Sequence, residues 1–228
     1  MIIFESVTKK FPSGHNALED VDLTIEDGEF IFIVGASGAG KSTLLKLITR
    51  EITPTKGKVI YNTEDIAKIP KAKLHLLRRR IGPVFQDFKL LLNRTVFENV
   101  AMPLEVLGKS ESFIQKEVSQ TLEKVGIIEK AESFPLQLSG GELQRTAIAR
   151  AIISNPEVLL ADEPTGDLDP KTAAEIVDLL NLINNEQKTI IIMATHNSAI
   201  VNHYKKRVIV LEKGKLIKDE KEGKYETT

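Results

Sequence analysis

The chain has 228 residues, 42% hydrophobic and 28% charged, the makeup of a globular protein with room for a substantial core. Its 31 Lys and Arg against 32 Asp and Glu give a formal net charge of −1, which argues against a strongly basic nucleic-acid binder. The absence of cysteine excludes disulfides, thiolate metal sites and cysteine nucleophiles, in keeping with a reducing compartment.

The start, Met1-Ile2-Ile3-Phe4-Glu5, lacks the basic region of a secretory signal. Val21, Leu23 and Ile25 alternate with polar neighbours, which predicts a half-buried strand. Asp27-Gly28 turns the chain, and the nearly continuous apolar run from Glu29 to Val34 predicts a strand covered on both faces, as in parallel sheets. Ser42 to Arg50, with Leu44, Leu45, Leu47 and Ile48, reads as a buried helix, and Lys58 to Asn62 as a short strand. Ile114, Val118, Leu122 and Val125 recur at helical spacing, so residues 111–125 are predicted to form an amphipathic helix ended by Gly126. Leu143, Ala147, Ile148, Ala151 and Ile152 stripe another, closed by Asn155-Pro156.

The final third alternates again. Val158 to Ala161 reads as a strand, Ile176, Leu179, Leu180 and Ile183 as a helix, and Thr189 to Ala194 as a strand. Arg207 to Leu211 should pair with Lys215 to Ile217 across Lys213-Gly214, and the tail after Asp219 is expected to fray. Strand and helix alternating at both ends imply an α/β fold with a mostly parallel sheet, the helical middle being an inserted subdomain. The apolar runs Phe30–Val34 and Ile190–Ala194 fall far below the ~20 residues of a membrane span. The chain is expected to be soluble and intracellular, with any membrane association coming through a partner.

Gly35-Ala36-Ser37-Gly38-Ala39-Gly40-Lys41-Ser42 fits G-x-x-x-x-G-K-[ST] between a predicted strand and a predicted helix, followed by Thr43. Glycines let backbone N–H groups converge on phosphate oxygens, and the helix adds its positive end. Lys41 is expected at the β- and γ-phosphates and Ser42 as a Mg²⁺ ligand. Asp162 and Glu163 close an apolar strand: the first suits Mg²⁺ beside the loop, the second a general base for water. Ser139 is placed to cap the next helix with Glu142 completing a capping box, and with Gly140 and Gly141 it also offers a second phosphate-binding helix end, one suited to another subunit's nucleotide. Taken singly, Phe11 reads as core, His196 as a loop histidine, and Gln86 has no claim beyond its position.

Lys41-Ser42, Gln86, Leu138-Ser139-Gly140-Gly141-Glu142, Asp162-Glu163 and His196 come in an order and spacing that resemble the ATP-binding cassette (ABC) ATPases over essentially the whole chain. The resemblance implies a P-loop nucleotide-binding domain with an N-terminal antiparallel β subdomain and an inserted α-helical subdomain. Residues 1–86 and 157–228 would form the nucleotide-binding core and 87–156 the helical part. It implies ATP and Mg²⁺ as cofactors and an ATP-dependent homodimer closing head-to-tail on two nucleotides. Phe11 would then stack on adenine, Gly35 to Thr43 cradle the phosphates, and Ser42, Gln86 and Asp162 hold Mg²⁺. Glu163 would polarise water, His196 contact the γ-phosphate, Asp169 lie in the loop crossing the interface, and Ser139, Gly140 and Gly141 grip the opposing γ-phosphate.

Arg79 to Phe88, Leu90 to Ala101, Leu160 to Gly166 and Met193 to His196 resemble the cell-division branch of that family, although Asp167 stands where relatives commonly carry Asn. The branch implies a place on the cytoplasmic face of the cell membrane under an FtsX-like integral membrane protein that regulates cell-wall hydrolysis. The alternative is the ATPase of a lipoprotein-release or macrolide-export system. The resemblance puts Phe88 and Leu90-Leu91-Leu92 at the groove for the membrane partner, with core packing the alternative for at least half of them. Lys71, Lys73, Arg78, Arg79 and Arg80 are expected on a solvated helix face, the alternative being contact with anionic lipid headgroups or an acidic partner segment.

Overall fold

The computed structural model describes residues 1–225. Strands β1 (Ile2–Lys10), β2 (Asn16–Ile25) and β3 (Phe30–Val34) precede helix α1 (Lys41–Ile48), and β4 (Lys56–Tyr61) and β5 (Glu64–Asp65) follow it. A one-and-a-half-turn helix, α2 (Leu74–Arg79), leads into β6 (Ile81–Phe85). Three helices come next: α3 (Val96–Val106), α4 (Glu111–Val125) and α5 (Gly140–Ile152). The chain then runs through β7 (Val158–Asp162), α6 (Pro170–Gln187), β8 (Ile190–Thr195), α7 (Ser198–Tyr204), β9 (Arg207–Glu212) and β10 (Lys215–Glu220).

The strands form two sheets, an antiparallel one ordered β2-β1-β4-β5 and a six-stranded one ordered β10-β9-β3-β8-β7-β6. In the larger sheet only β10 runs antiparallel to its neighbour. Pro83 is tolerated in β6 because that strand is an edge.

All five residues of β3 are buried, and the pleat divides them between two cores. Phe30, Phe32 and Val34 join Val96, Val118, Ile148 and Ile176 from the helices. Ile31 and Ile33 join Phe4, Leu23, Leu44 and Leu47, the layer between α1 and the antiparallel sheet. Strand β8 splits likewise, Ile191 and Met193 to one side, Ile190, Ile192 and Ala194 to the other. Each buried Val, Leu, Ile, Phe or Met side chain among these contributes about 1.5–3 kcal/mol by leaving water. This two-sided burial is why the strand reads as an unbroken apolar run.

Local signals set the helix ends. Helix α4 spans the predicted residues and stops at Gly126, left-handed at φ 74°. Thr95 with Glu98 and Ser139 with Glu142 form capping boxes on α3 and α5. The Asn99 side chain is fully buried, accepting from Leu91 N and donating to the carbonyls of Leu91, Arg94 and Thr95, which pins the turn before α3.

Two expectations need correction. The tail beyond Asp219 does not fray up to Tyr225: β10 runs to Glu220, Gly223 N donates to Lys206 O, and the Asn202 side chain exchanges two hydrogen bonds with the Tyr225 backbone. Tyr225 also packs against the helical core, and the rest of the tail lies outside the described residues. The basic cluster is solvated as expected, all five residues being exposed, but it does not lie on one helix face, because it spans a 3₁₀ turn at Lys71–Lys73 and α2, with Arg80 at the cap. Arg78 Nε donates to Thr49 O, and Arg80 pairs with Glu157.

Candidate functional site

The loop between β3 and α1 wraps around its own lysine. Gly35 and Gly40 adopt φ values of 150° and 111°, and a Cβ on either would lie 2.2 Å from Leu211 O or 2.5 Å from Ala17 O. Only glycine lets the loop pass this close to its neighbours. Lys41 is buried and its ammonium donates to Gly35 O at 2.8 Å and Ala36 O at 3.4 Å. The free N–H groups at the start of α1 and the lysine charge make this loop an anion-binding cradle.

Two carboxylates from the end of β7 and a histidine from the end of β8 reach the same place. Burial raises the pKa of the Asp162 carboxyl, and the Ser42 hydroxyl beside it works the other way. Glu163 turns left-handed at φ 50°, with its N–H donating to Ala194 O and its carbonyl accepting from Gly166 N. This costly conformation carries its carboxylate to 3.7 Å from Lys41 Nζ. His196 holds the same carboxylate twice: Nδ1 lies 2.9 Å from Oε1, and the backbone N–H donates to Oε2 at 3.3 Å. A carboxylate so oriented, beside an anion cradle, can accept a proton from water attacking a bound phosphate.

Gln86, just after β6, donates from Nε2 to Asp167 Oδ2 at 3.2 Å. Its amide lies across Gly166, where a Cβ would come within 3.1 Å of it. That partnership bridges 81 positions, so nothing local in the sequence announces it. Phe11, half-buried past the end of β1, has the Lys9 ammonium 5.3 Å from its ring centroid.

Ser139, Gly140 and Gly141 lie elsewhere. With Asp167, Leu168, Asp169 and Thr172 they line a separate cleft of about 320 Å³. Asp169 caps α6 by accepting from Lys171 N and Thr172 N, and its hydrogen bonds with Thr172 hold its pKa below the ordinary value. Ser139 accepts from Glu142 N and donates to Glu142 Oε2. The structure thus gathers Lys41, Ser42, Asp162, Glu163 and His196 at one place and the Ser139 group, with Asp169, at another.

A larger cleft of about 780 Å³ lies away from the phosphate loop. Its apolar wall comes from Leu74, Ile81, Phe85, Met102, Val106 and Leu107, with Lys71, Arg78, Arg79, Lys89 and Arg150 around it. Phe88 and Leu90 are half-buried and Leu91 and Leu92 exposed, outside that lining; residues from α2 and α3, unassigned on sequence alone, supply the wall instead.

Comparison with known proteins gives consistent results. A family model described as ABC transporter matches residues 18–166. The chain is 52% identical over 225 residues to the "Cell division ATP-binding protein FtsE" of Bacillus subtilis (strain 168), covering 99% of this chain and 98% of that protein. It is 47% identical over 226 residues to the protein of the same name in Mycobacterium tuberculosis, covering 99% and 98%. A solved dimeric post-hydrolysis state of the ATP-binding cassette MJ0796, bound to ADP and Pi, superposes with a TM-score of 0.89 at 36% identity, covering 99% of this chain and 100% of that one.

Proposed function

The chain belongs to the ABC transporter family as an FtsE-type ATPase, and we propose that it drives cell-wall hydrolysis during division through an FtsX-like integral membrane protein. In this reading it sits on the cytoplasmic face of the cell membrane, held there by that partner. Residues 1–86 and 157–228 act as the nucleotide-binding core, and 87–156 as the helical part.

One observation carries the catalytic assignment: the Glu163 carboxylate, set on a left-handed turn, is held by His196 and faces Lys41. ATP lies with its phosphates over Gly35 to Thr43, its adenine on Phe11, and Lys41 on the β- and γ-oxygens. Glu163 takes a proton from water as the water oxygen bonds to the γ-phosphorus. The bond from that phosphorus to the bridging oxygen breaks, leaving ADP and phosphate. His196 keeps the carboxylate aimed and contacts the γ-phosphate. The Ser42 hydroxyl beside the Asp162 carboxylate suits Mg²⁺, which takes few protein oxygens and completes its shell with phosphate and water. Ser42, Asp162 and Gln86 would hold the ion, which neutralises phosphate charge when bound.

The separate cleft supports a dimer. Ser139, Gly140 and Gly141 of one copy complete the site around Lys41 of the other, with Asp169 at the joint. Mixing Lys41→Ala and Ser139→Ala chains tests this, because a mixed head-to-tail pair has one doubly damaged site and one intact site. Phosphate release above the sum of the separate variants is expected; no excess overturns the shared site. For the partner, the large apolar cleft with its cationic surround is the proposed seat. Affinity purification from native membranes should recover an FtsX-like protein, and recovery of a solute permease instead would reject the division role.

A further inference from the structure

Gln86 rides on a turn that the backbone does not favour by itself. Phe88 N donates to Phe85 O at 3.2 Å, which makes Gln86 and Asp87 the central residues of that turn. The chain leaves it through two successive left-handed residues, Phe88 at φ 56° and Lys89 at φ 49°. Neither is glycine, and side-chain-bearing residues visit this region singly and at a cost.

Arg150, in the last turn of α5, holds both. Its Nη2 donates to Phe88 O and its Nη1 to Lys89 O, each at 2.7 Å. The planar fork of a guanidinium can serve two adjacent carbonyls at once, and a lysine ammonium cannot match that geometry. Burial alone lowers the Arg150 pKa, with no carboxylate among the described residues offsetting it. On its other side, the Gln86 amide is tied to Asp167, which shares a cleft with Ser139. Ser139 caps the same helix that ends near Arg150. A helix of 13 residues is a strut about 20 Å long, joining the cleft of Ser139 to the turn of Gln86.

We propose that Arg150 is a positioning residue for ATP hydrolysis, clamping the Phe85–Lys89 turn so that Gln86 moves in register with Ser139 at the far end of α5. This rests on the role proposed above for Gln86. The clamp acts on turnover and leaves the phosphate loop untouched.

A double-mutant cycle on the full chain tests it, with phosphate release at saturating Mg·ATP as the readout and Gln86→Ala, Arg150→Lys and the double variant compared. Gln86→Ala should lower kcat roughly tenfold, the effect of one lost interaction in the transition state. Arg150→Lys keeps the charge but loses the fork; its kcat should fall similarly, with KM for ATP within about twofold of wild type. The double variant should be no slower than Gln86→Ala alone, since the two residues act as one unit. Amide exchange without nucleotide should quicken in residues 86–91 of Arg150→Lys and stay unchanged inside α5. Wild-type kcat in Arg150→Lys, losses that multiply in the double variant, or unaltered exchange at 86–91 would each overturn the clamp. Wild-type turnover in Gln86→Ala would instead remove the reading of Gln86 on which the clamp depends. Should Arg150→Lys not accumulate as folded protein, Arg150→Gln enters the same cycle with the same criteria.

Discussion

Replacing Glu163 by Gln removes the proposed base and little else. The two side chains have the same size, and an amide oxygen can still accept from His196 N. Residue 163 stays left-handed at φ 50°, a conformation Gln bears no worse than Glu, so thermal stability should change by less than about 1 kcal/mol. Loss of general-base catalysis is worth about 10²–10⁴-fold, or roughly 2.7–5.4 kcal/mol of barrier. ATP affinity should hold or rise, because Lys41 loses a carboxylate 3.7 Å away that competes with phosphate for its ammonium. Phosphate release measures the first effect; light scattering with and without ATP measures the second, with the slow variant accumulating as a closed dimer. Turnover within roughly threefold of wild type, set against that 10²–10⁴ expectation, would show that another group takes the proton.

Other perturbations separate the remaining parts of the scheme. Lys41→Ala should weaken nucleotide binding by about 10–100-fold, the worth of a charge-assisted hydrogen bond, as read by titration with a fluorescent ATP analogue; undiminished affinity would contradict the cradle. Asn99→Ala should cost about 2–4 kcal/mol and lower the melting temperature by roughly 5–10 °C, because the buried carbonyls and N–H it serves lose their partner. Glu142→Gln should show a pH signature. Hydrogen bonds from Ser139 hold the Glu142 carboxyl below its ordinary pKa, so the unfolded chain takes up the proton first and wild-type stability is lost as pH falls below about 5. The variant should be less stable than wild type by about 0.5–1 kcal/mol at neutral pH, and the two should converge in acid. A gap of constant size down to pH ~3, below the ordinary carboxylate range, would mean the charge has no part in the cap.

Much of this architecture is readable in the chain because the relevant physics is local. Phe30 to Val34 is apolar throughout because two cores cover it, and Ile114 to Val125 has one buried stripe and a glycine stop. The phosphate loop and the Ser139–Glu142 capping box are likewise local, since backbone approach and helix capping act within a few residues. What escapes notice is held by partners far away in the chain. Arg150 meets Phe88 across 62 positions and Gln86 meets Asp167 across 81, with no periodicity linking either pair. The same holds for the large cleft: Leu74 and Met102 become one wall only once α2 and α3 are placed. Phe88 and Leu90–Leu92 are the more conspicuous apolar cluster in the sequence, yet the turn pinned by Asn99 leaves Leu91 and Leu92 facing water.

The pairing of Asn202 with the Tyr225 backbone bears on how reporters should be attached. Helix α7 has seven residues, two of them buried, and begins two positions after His196. Its grip on the domain therefore includes a segment that a routine trimming of the final strand's overhang would discard. A fluorescent protein or affinity tag fused directly after Glu220 would remove that anchor and loosen the histidine by way of the helix, whereas a junction placed beyond Tyr225 leaves the anchor whole. Apparent loss of function in a shortened fusion would then report the site of the cut and say nothing about the tag.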